Sequence, residues 1–206
     1  MNQEFKAPFL PPSEIARSAN QFLNQYYPNR NPPIPIEEIV EFQLRLNIVP
    51  EPNFRNQTGI ESALSNDLKT IYIDEYLTNP NLLNHRYRFS LAHEVGHVFL
   101  HREVFKEFPC KSAYDWKKFM MEVDGYQYGW LETHAYQFAG LILVPTDILA
   151  RELKIIQVSY EKDGQAPNSE NIIFEEYVMN RLKEKFQVSS TVIVKRIEKD
   201  GLSLLC

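Results

Sequence analysis

Cysteine is nearly absent from this chain of 206 residues: only Cys110 and Cys206 occur, and the second is the last residue. Two such cysteines make no disulfide framework and point to a reducing compartment. Long apolar runs are missing as well. No stretch approaches the ~18 consecutive apolar residues of a membrane span. The opening Met1-Asn2-Gln3-Glu4-Phe5-Lys6 lacks the basic start and apolar block of an export signal. These absences set the expectation of a cytoplasmic protein with no membrane partner. A surplus of positive charge is also lacking. With 22 Lys and Arg against 27 Asp and Glu, the net charge is −5, the wrong sign for coating nucleic acid or an anionic surface. No internal repeat and no low-complexity segment is found, and the length fits one domain or one domain with a small appendage.

Along the chain, Ile15, Ala16, Ala19, Phe22 and Leu23 recur at helical spacing within residues 12–27. Prolines 28, 32, 33 and 35 mark a linker, after which residues 36–46 read as a second helix. Residues 46–49 and 59–64 read as strands, and 69–74 alternates as a half-buried strand should. That last strand is taken as a sheet edge along which a peptide can add. Residues 103–128 form an aromatic-rich excursion, with a helix predicted over 113–123. That excursion reads equally as a cleft wall or as ordinary packing.

Against this unremarkable background stands His93-Glu94-Val95-Gly96-His97. Residues i and i+4 share one helix face, so both imidazoles can reach one ion. Glu94 is turned about 100° from His93, beside the ion rather than on it. That is the place for a general base acting on a zinc-activated water. Asn79-Pro80 reads as a helix start, and the helix is predicted to run over residues 80–102. Arg86, Ser90, His93, Glu94, His97 and His101 project into one sector of roughly 100°. Most of the remaining circumference is apolar, so the polar stripe of a buried helix must face a cavity, a metal or partners.

A catalytic zinc takes three protein ligands and leaves one position open. Residues 130–144 read as a helix ended by Pro145. On the face of Glu132 lie Ala135 and Ala139, whose small size lets a second helix come close enough for a carboxylate to reach the metal. His134 projects about 200° away from Glu132. Glu132 is therefore the preferred third ligand, with His134, Asp124 and Cys110 as alternatives. His101, one turn beyond His97, either orients a ligand or simply bonds to backbone. Tyr72, Tyr114, Tyr126, Tyr128 and Tyr136 are all open as oxyanion stabilisers.

The stretch from Arg88-Phe89-Ser90-Leu91-Ala92 through His93 to His101 resembles the metal helix of the ImmA/IrrE family of zinc metallopeptidases. Glu132-Thr133-His134-Ala135-Tyr136-Gln137-Phe138-Ala139, followed by Leu141-Ile142-Leu143-Val144-Pro145, is similar to its third-ligand helix. Residues 34–49 and 186–197 resemble its opening segment and its C-terminal helical pair. The likeness covers about residues 34–202. It implies an α+β, zincin-like core with a small twisted sheet, a central H-E-x-x-H helix and a C-terminal helix-turn-helix-like pair. The expected divisions are 1–33 for a tail and helix, 34–165 for the core and 166–206 for the helical subdomain. The resemblance implies Zn2+ bound by His93, His97 and Glu132, with Glu94 as base. It also implies a protein substrate of the helix-turn-helix repressor type. Two departures are Tyr136, where the family commonly has asparagine, and His134, where a second acidic residue is common.

The expected activity is thus zinc-dependent endopeptidase cleavage inside the cell. The rival is a zinc-binding regulatory or DNA-binding protein without turnover. Residues 181–200 carry six basic and three acidic side chains, a net of +3, and Val188-Ser189-Ser190 resembles a helix-turn-helix corner. Six minus three is too little to anchor a duplex by counterion release on a chain of net −5. Anisotropy titration with duplex DNA at physiological salt should show weak or no binding. Sequence-specific binding in the nanomolar range would instead favour the regulator.

Overall fold

The computed structural model describes residues 6–79, 85–106, 113–162 and 172–204. The first helix, α1 (Pro12–Tyr26), starts with proline at its first position and buries Ile15, Ala19, Phe22 and Leu23 along one stripe. Residues predicted as one helix over 36–46 form a short α2 (Ile36–Glu38) that widens into a π turn over Ile39–Gln43. Strand β1 (Asn47–Glu51) follows, then α3 (Phe54–Thr58), β2 (Ser62–Leu64) and β3 (Thr70–Asp74). A 3-10 turn over Glu75–Thr78 closes this half.

The sheet order is β1-β3-β2, with β1 parallel and β2 antiparallel to β3. This corrects the expectation that residues 69–74 form an edge. Ile71 and Ile73 of β3 are fully buried and both sides of the strand are paired. The short β2 is the edge that lies against the helix carrying His93 and His97.

That helix is α4 (His85–Leu100), followed by α5 (Arg102–Lys106) and α6 (Ala113–Glu122). Its expected start at Pro80 lies outside the described residues, as do Cys110, Cys206 and the expected 165/166 boundary. The helix that carries Glu132, α7 (Gly125–Leu143), begins five residues earlier than predicted because Asp124 caps it, accepting from the amides of Tyr126 and Gln127. Then come α8 (Thr146–Lys162), unassigned from sequence, and the pair α9 (Ile172–Phe186) and α10 (Ser190–Asp200). Ser189 caps α10 through the amide of Val192. The result is an α+β architecture, mostly helical around a three-stranded sheet.

The pairing of α4 with α7 is the most extensive helix contact, and α1 packs across both. Phe22 meets Phe99 edge-on at 5.2 Å and Phe138 at 5.8 Å between ring centroids, tying α1 to α4 and α7. At Gly96 the two helices approach closely. A β-carbon there would stand 3.0 Å from the Ala135 α-carbon, a backbone atom that cannot turn aside. Gly96→Ala should therefore push the helices apart and lower unfolding stability by about 1–3 kcal/mol. Urea denaturation checks this, and an unchanged midpoint would show that the contact is looser than drawn.

Candidate metal centre

Helix α4 puts His93 and His97 one turn apart, both almost completely buried. Their Nε2 atoms face each other at 3.1 Å. From α7, the Glu132 carboxylate reaches across the Gly96–Ala135 contact. Its Oε2 lies 3.2 Å from His93 Nε2 and its Oε1 3.4 Å from His97 Nε2. One ligand atom from each of the three residues falls within 4.8 Å of the others.

These separations fit a zinc ion. A tetrahedron with metal–ligand bonds of ~2.05 Å has edges of about 3.3 Å, close to the three distances measured. The chemistry agrees, since two imidazoles and one carboxylate leave a fourth position open. The electrostatics are those of a site prepared for a cation. Burial opposes a charged His93, but Glu132 outweighs it and raises the imidazole pKa. Burial likewise opposes an ionised Glu132, yet His93 and His97 hold its carboxyl well below the ordinary range.

Glu94 is 2% exposed and is held from the sheet. The Ser62 hydroxyl on β2 donates to its Oε1 at 2.6 Å. Sequence gave no sign of Ser62, because strand and helix are 32 residues apart in the chain. Of the five tyrosines, the structure brings Tyr128 and Tyr136 to the cleft. Burial, then the neighbouring Glu132 that accepts its hydroxyl proton, pushes the Tyr128 pKa far up. Tyr136 tilts against His93 at 4.6 Å between centroids, stacks on Phe89, and remains 55% exposed. Tyr72 sits on the central strand and Tyr126 at the exposed start of α7. The Tyr114 side chain and Cys110 lie outside the described residues.

Two of the alternatives for the third ligand, Asp124 and His134, lie among the described residues. Asp124 is occupied as the cap of α7. His134 is buried but one step removed, with its Nδ1 3.4 Å from His101 Nε2. His101 in turn places its Nδ1 3.0 Å from His97 Nδ1. The side chain of His101 therefore bonds to His97 and His134 rather than to backbone.

A cleft of about 790 Å³ runs over the site. Ser62 and Ala63 of β2, Arg86 of α4 and Lys195 and Lys199 of α10 are among its walls. Trp116 of α6 also lines it, so the aromatic excursion contributes a wall. Arg196 differs from its lysine neighbours. It is buried and donates to Val144 O and Thr146 Oγ1 while pairing with Asp200. Its task is to join α10 to the end of α7.

A histidine pair on one helix, a carboxylate from a facing helix and an acid beside the first histidine define a zincin-like site. The family model of the IrrE N-terminal-like peptidase domain matches residues 62–198. The chain belongs to that ImmA/IrrE family, which suggests a metallopeptidase. No curated protein matches the chain. Among the described residues, no helix is long and apolar enough to cross a membrane.

His101 carries a pH consequence. Burial first, then His97 and His134, push its pKa from 6.5 down to about 2. The folded value lies below the unfolded one, so the unfolded chain binds a proton that the folded chain refuses. The contribution to stability is complete above pH 6.5 and is lost as pH falls from there toward 2. In metal-stripped protein, His101→Asn should flatten the dependence of unfolding free energy on pH in that window by about one proton. Urea titrations at several pH values measure the slope, and an unchanged slope would mean that folded His101 is charged.

Proposed function

We propose that this chain is a zinc-dependent intracellular endopeptidase acting on a protein substrate, a helix-turn-helix repressor. The observation that carries the peptidase reading is the meeting of His93, His97 and Glu132 with Glu94 beside them under an open cleft. The repressor class rests on the family likeness. His93, His97 and Glu132 would hold the zinc, which would supply Lewis acidity toward a water and the scissile carbonyl.

The chain's own groups do the rest. Glu94 accepts the proton of the attacking water and delivers it to the departing amine. Ser62 occupies one oxygen of that carboxylate, which leaves Oε2 for the proton. The side of β2 away from β3, which pairs with no strand among the described residues, offers main-chain donors and acceptors to an extended peptide, which adds as a strand. That assigns to β2 the docking role first expected of residues 69–74. Tyr136, half-exposed beside His93, is the phenol placed to donate to the developing oxyanion. Tyr128 is engaged with Glu132 and holds the carboxylate instead. At the far side of the cleft, Lys195 and Lys199 offer positive charge to an acidic face of the substrate.

Elemental analysis should find about one zinc per chain, lost in His93→Ala, His97→Ala and Glu132→Ala. Glu94→Gln should keep zinc and fold but lose cleavage of helix-turn-helix repressors from the same genome, read by mass spectrometry of the products. Tyr136→Phe should keep zinc and lower kcat by about 100-fold. Charge reversal at Lys195 and Lys199 should slow cleavage with zinc content unchanged. Undiminished cleavage by metal-loaded Glu94→Gln would remove Glu94 as base. A metal-loaded wild-type chain that cleaves none of those repressors would leave the non-proteolytic regulator as the better reading.

A further inference from the structure

Four of the five histidines of this chain stand in one buried row, and the presumed ligands account for only two of them. His97 Nδ1 lies 3.0 Å from His101 Nδ1, and His101 Nε2 lies 3.4 Å from His134 Nδ1. Both nitrogens of His101 are thus spoken for by imidazoles, and His101 and His134 are each 1% exposed. His134 Nε2 is buried with no hydrogen-bond partner among the described residues. No carboxylate is hydrogen-bonded to His101 or His134 among the described residues, so these rings are neutral and carry one proton each.

We propose that His101 and His134 are positioning residues for His97, forming a row of imidazoles that accepts the Nδ1 proton of metal-bound His97 and holds its ring in place. The proposal rests on the reading that His97 binds zinc through Nε2, the atom that faces His93 and Glu132. A neutral imidazole with a bare Nε2 carries its proton on Nδ1. That proton has one place to go, the lone pair of His101 Nδ1. His101 must then carry its own proton on Nε2 and donate to His134 Nδ1. His134 is left protonated at Nε2, the atom that has no partner. Running the row the other way would place a proton on His97 Nε2, where the metal binds.

Either direction leaves His134 Nε2 unsatisfied, so the far end does not choose between them. The metal chooses, and the row in turn locks His97. Metal-bound histidines ordinarily give their second N–H to a carboxylate or a carbonyl. Here an imidazole accepts it. The site contains its own contrast, because His93 Nδ1 is buried without a partner among the described residues. Of the two histidine ligands, His97 alone has its ring orientation and tautomer held from behind.

Long-range 1H–15N correlation spectra of the full, zinc-loaded chain test this directly. The expected tautomers are Nδ1–H for His97 and Nε2–H for both His101 and His134. A proton on His101 Nδ1 in the loaded chain would overturn the proposal. A second measurement is zinc affinity by chelator competition. His101→Leu should weaken binding by about 10- to 100-fold, and His101→Asn, whose carbonyl can accept from His97, should recover most of it. Equal losses in the two variants would mark His101 as mere packing and overturn the proposal. A wild-type chain that takes up no zinc would overturn the peptidase reading and this row with it. Normal zinc uptake with the wrong His101 tautomer would overturn the row alone. Should His101→Leu fail to fold, the spectra of the unaltered chain still decide.

Discussion

Everything at this site depends on how closely α4 and α7 approach. A carboxylate side chain is short, and Glu132 can meet two histidines on another helix only if the backbones nearly touch. Gly96 on one side and Ala135 on the other permit that approach. The contact also sets the price of any side chain added there, since what it would meet is backbone. Stability and metal geometry are therefore the same variable at this position.

Burial then forces the polar groups to satisfy one another. His93, Glu94, His97, His101 and His134 are all nearly inaccessible, and buried polar groups without partners are costly. Glu132 answers the first and third, Ser62 the second, and the remaining imidazoles pair in a row. The polar stripe of α4 is thus tied at both ends, Glu94 to the sheet edge through Ser62 and the histidine row to α7 through Glu132 and His134. Such a network is rigid before any substrate arrives, and rigidity is what a site that must hold a metal in one geometry requires.

The sequence made the metal helix legible because its signal is local. Two histidines at i and i+4 and an apolar remainder are written in consecutive residues. The helix with Glu132 was legible for a related reason, since Ala135 and Ala139 recur at helical spacing. What sequence could not show are contacts between distant segments. Ser62 meets Glu94 across 32 residues of chain, and His134 meets His101 across 33. Periodicity sent His134 to the far side of α7, and it does leave the metal, but the far side is still occupied by the end of α4. The middle strand was misread as an edge because alternation reports burial and says nothing of how many neighbours a strand has. Residues 146–162 went unassigned, although α8 buries Ile148, Leu149, Leu153 and Ile156 at helical spacing. Arg196, one of the six basic residues in 181–200, is tied by the fold to Val144, Thr146 and Asp200.

The central claim is that two imidazoles and one carboxylate from α4 and α7 bind a single zinc. X-ray absorption at the zinc edge of the loaded chain addresses it most directly. The account predicts a first shell of nitrogen and oxygen only, at ~2.0–2.2 Å, with the multiple scattering of two imidazoles. A sulfur at ~2.3 Å would bring in a cysteine, and a third imidazole would bring in His134. Either result would contradict the assignment of Glu132 and with it the role given to the α4–α7 contact.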